Sequence, residues 1–530
     1  MIIKVAAERI LLIPVGKENL KHMFPSLVCV YGNAWRYSDG AWGFPLTAAR
    51  ALWNVMPDYH HIFPTSLVLA LDEKARAEGI EWLKSLPLPS TSTLKTDLAP
   101  HQEEDIKVMT GFKRFGLFDD MGTGKTLTIL AAFAHKAGAE KLIIVCPKTI
   151  KRVNWEQQVK DHTTFSVEVV SDKTLNTRAD IFIVHYENVG KYTPLLERIC
   201  ENFDTVLVAD EATEIKNHKA MRTKIFFKLA KKAHTVWLAS GTPAANKPES
   251  IYTLLKFLDP TLFEDYETFI STYANRDVFG SVISYKNLSV LADKMKLVSI
   301  RHQLGEVATI PEVHVTTLVC KFTQPQKELY QGYKEDILKS VKNTDSMPCV
   351  LAQMTALRQL SSDYTMITER MNMGIPPKYA LLDKIINLLR RDERLIIATC
   401  FNHVHDVILN RYANLKPVSI RGKVSDAKRT LAVNSYNSGE SRILVIHPRS
   451  GGLGLNLQAG SKIVFFDRDF HFVQNVQTEH RIQRIGQKHN CQIVNLVCEG
   501  TLDDYILDVL NEKSQLSAKI LKDYLEKGGL

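Results

Sequence analysis

Apolar residues in this chain come in short unbroken runs rather than in alternation with polar ones. Lys141–Val145, Ile181–Val184, Thr205–Ala209 and Thr235–Ala239 form one series, separated by stretches of helical periodicity. Runs of this kind suit strands buried on both faces, which predicts a parallel sheet covered by helices. A second series repeats the theme at Leu395–Thr399, Val418–Ile420, Ile443–Ile446, Ile463–Phe466 and Ile493–Val497. Two doubly wound α/β domains are therefore predicted, with a mostly helical stretch between them over about 250–390. Near the end, Ile506, Leu510, Leu516, Ile520 and Leu521 fall at helical spacing and predict a brace for the second domain.

Residues 1–92 carry none of the phosphate-binding motifs described below and end in Pro87-Leu88-Pro89-Ser90-Thr91-Ser92-Thr93, a linker rich in breakers. The expected division is a small α+β accessory domain at 1–92, a first sheet domain at 93–305 and a second at 306–530. Within the first segment, Trp35–Leu46 predicts a hairpin turning at Asp39-Gly40 with aromatic arms. Trp42 and Phe44 are candidates for stacking on unpaired bases, or else simply build a small core. A competing pattern, Pro57-Asp58 followed by Asp72-Glu73-Lys74, would suit a metal-dependent nuclease, because two carboxylates and a lysine can hold a metal and a water.

Composition narrows the class without choosing a function. At 530 residues the chain exceeds a single core. Hydrophobic content of 45% and charged content of 24% are those of an ordinary globular protein. The net charge of +9 is compatible with a nucleic-acid partner. The eight cysteines form no Cys-x-x-Cys pair, so reduced thiols in a cytoplasmic compartment (or a nucleus, in a eukaryotic host) are expected. No apolar run reaches membrane-spanning length, and no membrane partner is expected.

The chemistry lies in three separated segments. Met121-Gly122-Thr123-Gly124-Lys125-Thr126 bends the backbone so that its N–H groups and a helix N-terminus face phosphate oxygens. Lys125 supplies a mobile charge for the β- and γ-phosphates of ATP, and the Thr126 hydroxyl is placed for Mg²⁺. Asp119 stands where the full phosphate-loop pattern has its first glycine. Asp210-Glu211 ends the apolar run at Thr205–Ala209, so Asp210 can hold the metal while Glu211 polarises the attacking water. Much later, Arg481 and Arg484 stand three apart within Gln477–Gln487, on one face if helical, where they can meet the γ-phosphate at the transition state.

The order of these motifs resembles the Swi/Snf family of superfamily-two helicase-like translocases, over about residues 96–515. Leu98-Ala99-Pro100-His101-Gln102 is similar to the adenine-reading Q motif, with Gln102 its key residue. Ile143–Lys148 with Asn154-Trp155 resembles motif Ia, and Asp210–Asn217 the acidic box with its Lys-Asn extension. Ser240-Gly241-Thr242-Pro243 resembles motif III, Gly451–Leu457 motif V with Gly454, and Gln477, Arg481 and Arg484 motif VI. Two positions depart from the family: Thr213 replaces the usual histidine of the box, and motif V opens His447-Pro448-Arg449-Ser450.

The resemblance implies two RecA-like domains that close on ATP and Mg²⁺ and reopen after hydrolysis, tracking along duplex or forked DNA as a monomer. Phosphate contacts are expected near Lys148, Thr149, Arg421, Arg449 and Ser450. The Trp-x-Phe-Pro-Leu run at 42–46 also resembles the accessory module of annealing-helicase members. Two alternatives remain open from the sequence: a strand-separating helicase on DNA or RNA, and a DNA clamp whose motor no longer cycles.

Overall fold

The computed structural model describes residues 65–512 apart from 149–154, 172–175, 244–249, 261, 263–264, 278–279, 281, 344–346, 369–372, 423, 452–454 and 456, together with four short strands near the start of the chain. Those strands, β1 (Ile2–Ala6), β2 (Arg9–Ile13), β3 (Trp35–Arg36) and β4 (Trp42–Pro45), form an antiparallel sheet in the order β1-β2-β4-β3. The arms of the expected hairpin do pair, with Arg36 opposite Trp42 and Trp35 opposite Gly43. The Asp39-Gly40 turn lies outside the described residues.

The helix Thr65–Ser85 then runs without interruption for 21 residues. Asp72-Glu73-Lys74 of the nuclease pattern falls on this helix. Pro57-Asp58 lies outside the described residues. The helix is tied to the first sheet domain by ion pairs from Arg76 to Asp259 and from Lys84 to Glu104.

The first large sheet comprises β5 (Arg114–Leu117), β6 (Lys141–Cys146), β7 (Val167–Val169), β8 (Ile181–His185), β9 (Thr205–Asp210), β10 (Thr235–Ala239) and β13 (Ser299–Ile300). A small hairpin of β11 (Ala274–Arg276) and β12 (Val282–Tyr285) is inserted before β13. All seven strands are parallel, in the order β13-β5-β10-β9-β6-β8-β7. Alternate residues feed two cores on opposite faces: Ile143, Val145, Leu207 and Leu238 on one, Leu142, Ile144, Val206 and Trp237 on the other. Each such side chain contributes roughly 1.5–3 kcal/mol by leaving water, which is why the runs are apolar without alternation.

The second sheet is also wholly parallel, with β14 (Val313–Cys320), β15 (Leu395–Ala398), β16 (Val418–Ile420), β17 (Ile443–Ile446), β18 (Lys462–Phe465) and β19 (Cys491–Cys498). Its order is β14-β19-β18-β15-β17-β16. Ile396, Leu444 and Ile463 face one core, and Leu395, Val445 and Val464 the other. The stretch expected to be mostly helical contains β11, β12, β13 and the eight-residue β14 as well as helices. β14 is an edge strand with Val315 and Val319 exposed, so its pattern is not that of the buried runs. The closing segment is helical over 502–512 and packs Ile506 and Leu510 against Phe472. Leu516, Ile520 and Leu521 lie outside the described residues.

Candidate active site

Parallel strands of one sheet release their loops at the same edge, and the motifs use that geometry. The phosphate loop leaves β5 and enters the helix Lys125–His135, while Asp210 is the last residue of β9. Gly122 and Gly124 hold positive φ angles of 87° and 94°. A Cβ on Gly124 would meet Gln102 Nε2 at 2.7 Å, and one on Gly122 would meet Gln483 O at 2.8 Å and Arg484 Cα at 3.2 Å. The backbone angle favours glycine at both positions, and at Gly122 the neighbouring backbone also leaves no room for a Cβ.

Gln102 joins the first motif to the loop. Its amide donates to Gly124 O at 3.3 Å and its Oε1 accepts from Ala99 N at 3.0 Å. The neighbouring His101 donates from Nε2 to Thr123 O at 3.0 Å, and Thr123 Oγ1 donates to Asp120 O at 2.9 Å. Met121 and Thr123 are buried, and Thr126 is half-buried in the first turn of the helix. Lys125 Nζ donates to Asp119 O at 2.8 Å and Asp120 O at 2.7 Å, leaving a third N–H for a phosphate oxygen. Burial lowers its proton affinity, while Asp119, Glu211, Asp120 and Asp210 oppose that shift.

The acidic pair is held from two sides. Trp155 Nε1 donates to Asp210 Oδ2 at 2.7 Å, Glu211 N donates to Oδ1 at 2.9 Å, and Tyr186 OH donates to Asp210 O at 2.8 Å. Each carboxylate oxygen keeps a lone pair for a hard cation, so Asp210 and the Thr126 hydroxyl suit Mg²⁺. Glu211 sits at φ 51°, and its Oε2 is buried without a hydrogen-bond partner among the described residues. Burial, then the Asp210 charge, pushes its carboxyl up to about 7. A buried acceptor of this kind suits a water that must lose a proton. Thr213, half-buried on the short turn Ala212–Ile215, gives the box a hydroxyl where the resemblance led one to expect an imidazole.

The second sheet completes the site from the opposite side. The helix Phe472–Glu479 follows β18 and buries Gln477, whose carbonyl accepts from Arg481 Nε at 2.8 Å. Arg481 Nη1 donates to Leu455 O at 3.2 Å, so this buried guanidinium is held at both ends. Burial and neighbouring Arg484 depress its proton affinity, and Glu211 and Asp210 raise it. Arg484 is held by one end, from Nε to His480 O at 3.3 Å, with the Glu211 charge acting on it. The turn carrying both arginines is joined to the phosphate loop by Ile485 N donating to Gly122 O at 3.4 Å. Gly454 lies outside the described residues.

Residues expected to grip nucleic acid are more scattered. Lys148 is exposed just beyond β6, and Arg421 and Arg449 follow the adjacent strands β16 and β17. Arg421 already pairs with Asp406 at 2.8 Å, and Arg449 lies 3.8 Å from Asp469. Thr149 lies outside the described residues. Ser450 sits on the short helix Pro448–Gly451, and Trp42 and Phe44 lie on β4.

Several supporting residues gave no sequence signal. Asp119, in place of the first loop glycine, is buried and accepts from His302 N at 2.8 Å. The His302 ring lies 3.1 Å from Asp105 and 3.4 Å from Asp119, and although burial opposes it, these carboxylates raise its proton affinity to about 10. Arg301 pairs with Asp120 beside them. Trp155 did appear in the motif Ia resemblance, without its role as a donor to Asp210. If that donor orients the metal ligand, Trp155→Phe should raise the Mg²⁺ needed for half-maximal ATP turnover by about 10–100-fold while barely changing metal-free nucleotide affinity. An unchanged Mg²⁺ midpoint would show that the indole only fills space.

Residues 101–366, half of the chain, match the model of the SNF2-related domain, and residues 377–488 match that of the helicase conserved C-terminal domain. The ISWI chromatin-remodeling complex ATPase ISW1 of Saccharomyces cerevisiae is 24% identical over 445 residues, which is 77% of this chain and 38% of that protein. A SWI/SNF-related matrix-associated actin-dependent regulator of chromatin subfamily A-like protein 1 homolog of Caenorhabditis elegans is 26% identical, covering 89% of this chain and 71% of its own. The chain thus spans well under half of the yeast relative's length. Among solved structures, the Sulfolobus solfataricus SWI2/SNF2 ATPase core in complex with dsDNA matches at 22% identity over 83% of this chain and 96% of that one, with a TM-score of 0.38. The strand orders above establish the fold independently of that superposition. Among the described residues no helix is long and apolar enough to cross a membrane. A family model spanning half of the chain settles the lineage: the chain belongs to the SNF2-related family of helicase-type ATPases.

Proposed function

We propose that the chain is a DNA-dependent ATP-hydrolysing motor that tracks along duplex or forked DNA and remodels forks or protein–DNA complexes. The observation that carries this reading is the meeting of the phosphate loop, the acidic pair and the paired arginines across one cleft between two parallel sheets. A site divided in this way links the chemistry to relative movement of the sheets. In this reading Lys125 holds the phosphates, Thr126 and Asp210 hold Mg²⁺, Glu211 takes the water's proton, and Arg481 and Arg484 stabilise the transferred phosphoryl group. Gln102, the loop residues 121–124, Gly454 and Gln477 complete the nucleotide's surroundings.

Lys148, Thr149, Arg421, Arg449 and Ser450 would meet the DNA backbone from the carboxyl ends of strands in both sheets, giving salt-sensitive and sequence-tolerant binding. The test is ATP turnover measured with blunt duplex, forked and single-stranded DNA and with RNA. Greater stimulation by duplex and forked DNA supports translocation on DNA. Stimulation by single strands or RNA alone would favour strand separation instead.

Residues 1–92 are proposed to read DNA structure through the β3–β4 hairpin. Deleting them should leave stimulation by blunt duplex largely intact and reduce stimulation by forks. Trp42→Ala with Phe44→Ala should reproduce that selective loss, since each stacked base is worth about 1–3 kcal/mol. Equal loss on both substrates, with the fold confirmed by circular dichroism, would assign the aromatics to a core.

A further inference from the structure

The cleft holds a histidine that the reaction scheme above leaves without a task. His480 stands at the end of the helix Phe472–Glu479, where its backbone N–H donates to Val476 O at 3.0 Å. Its Nδ1 is buried and has no hydrogen-bond partner among the described residues. The turn it opens is the one fixed to the phosphate loop, both through the Ile485–Gly122 hydrogen bond and through the close approach of Gln483 and Arg484 to Gly122. Arg484 is tethered to the carbonyl of His480 itself.

We propose that His480 reads the terminal phosphate of a bound nucleoside triphosphate from the second sheet's side of the cleft, donating a hydrogen bond from Nδ1 to a phosphate oxygen. This rests on the reading of the cleft as an ATP site. The histidines of the first sheet domain nearest the loop are already engaged, His101 with Thr123 O and His302 between Asp105 and Asp119. The acidic box presents Thr213 and no imidazole of its own. Position and chemistry agree in the case of His480. Burial is the largest influence on its ring and favours the neutral form, followed by the charge of Glu479, then by Asp120, Arg481 and Lys125. A neutral imidazole carries one N–H, and a phosphate oxygen offers only an acceptor. A diphosphate lacks the group that Nδ1 would meet, so the contact separates ATP from ADP and reports the loaded state to the turn that carries Arg484.

The test is equilibrium binding of ADP and of a non-hydrolysable ATP analogue, each with Mg²⁺, to the full chain and two variants. His480→Ala is expected to lose roughly tenfold in affinity for the triphosphate analogue, the size of one charge-assisted hydrogen bond, while ADP binding stays near wild type. His480→Asn, whose amide nitrogen can donate from near the Nδ1 position, is expected to recover most of the loss. The proposal is overturned if His480→Ala weakens both nucleotides equally, leaves both unchanged, or behaves like His480→Asn. Failure of the wild-type chain to bind either nucleotide would instead overturn the ATP-site reading itself, and this inference with it.

Discussion

Arg484→Ala is expected to bind ATP nearly as well as the wild-type chain and to hydrolyse it about 10³-fold more slowly. The guanidinium lies in the cleft opposite Glu211 and, among the described residues, is held from Nε by His480 O. Its charge is worth most when negative charge spreads over the transferred phosphoryl oxygens, so the loss falls on turnover and not on binding. Arg481→Ala should be nearly as harmful to turnover and should also cost stability. That side chain braces Gln477 O and Leu455 O, and its loss leaves buried carbonyls without a donor. A lower melting temperature for Arg481→Ala, set against an unchanged one for Arg484→Ala, would separate the two roles. Normal DNA-stimulated hydrolysis by both variants would remove the arginines from the chemistry.

Glu211→Gln should stop turnover by about 10²–10⁴-fold while retaining ATP, because the phosphate contacts of Lys125 and the metal contacts of Asp210 are untouched. The carboxylate is buried, has an Oε2 without a partner among the described residues, and is pushed up to about 7 by burial and by Asp210. Those conditions suit a proton acceptor, and an amide of the same shape cannot accept the proton. Lys125→Ala should fail in another way, weakening nucleotide binding as well as turnover. Filter binding of labelled ATP alongside phosphate release distinguishes the two. Wild-type turnover by Glu211→Gln would assign the water's activation elsewhere.

The central strands were legible because burial on both faces writes itself as unbroken apolar runs, as in Thr205–Asp210, all but the last residue of which is buried. β5, broken by Gly116, and β7, β13 and β14 were not, since β7 and β13 are too short to show a period and the edge strand β14 is half-exposed. Motif residues were legible where phosphate chemistry dictates local spacing, as from Gly122 to Thr126. The clamp beneath them was not. His302 meets Asp119 and Arg301 meets Asp120 across more than 180 positions of sequence, and only folding brings such partners together. The helical setting of Asp72 and Lys74 likewise depended on the whole of Thr65–Ser85, and a short nuclease-like pattern could not reveal it.

The most direct test of the account is phosphate release by the full chain with Mg²⁺ and ATP, with and without blunt duplex DNA. Hydrolysis that rises when duplex is added, and vanishes in Arg484→Ala on the same DNA, is the predicted result. Hydrolysis that ignores DNA, or that persists at the wild-type rate without Arg484, would contradict a DNA motor whose active site spans the two sheets.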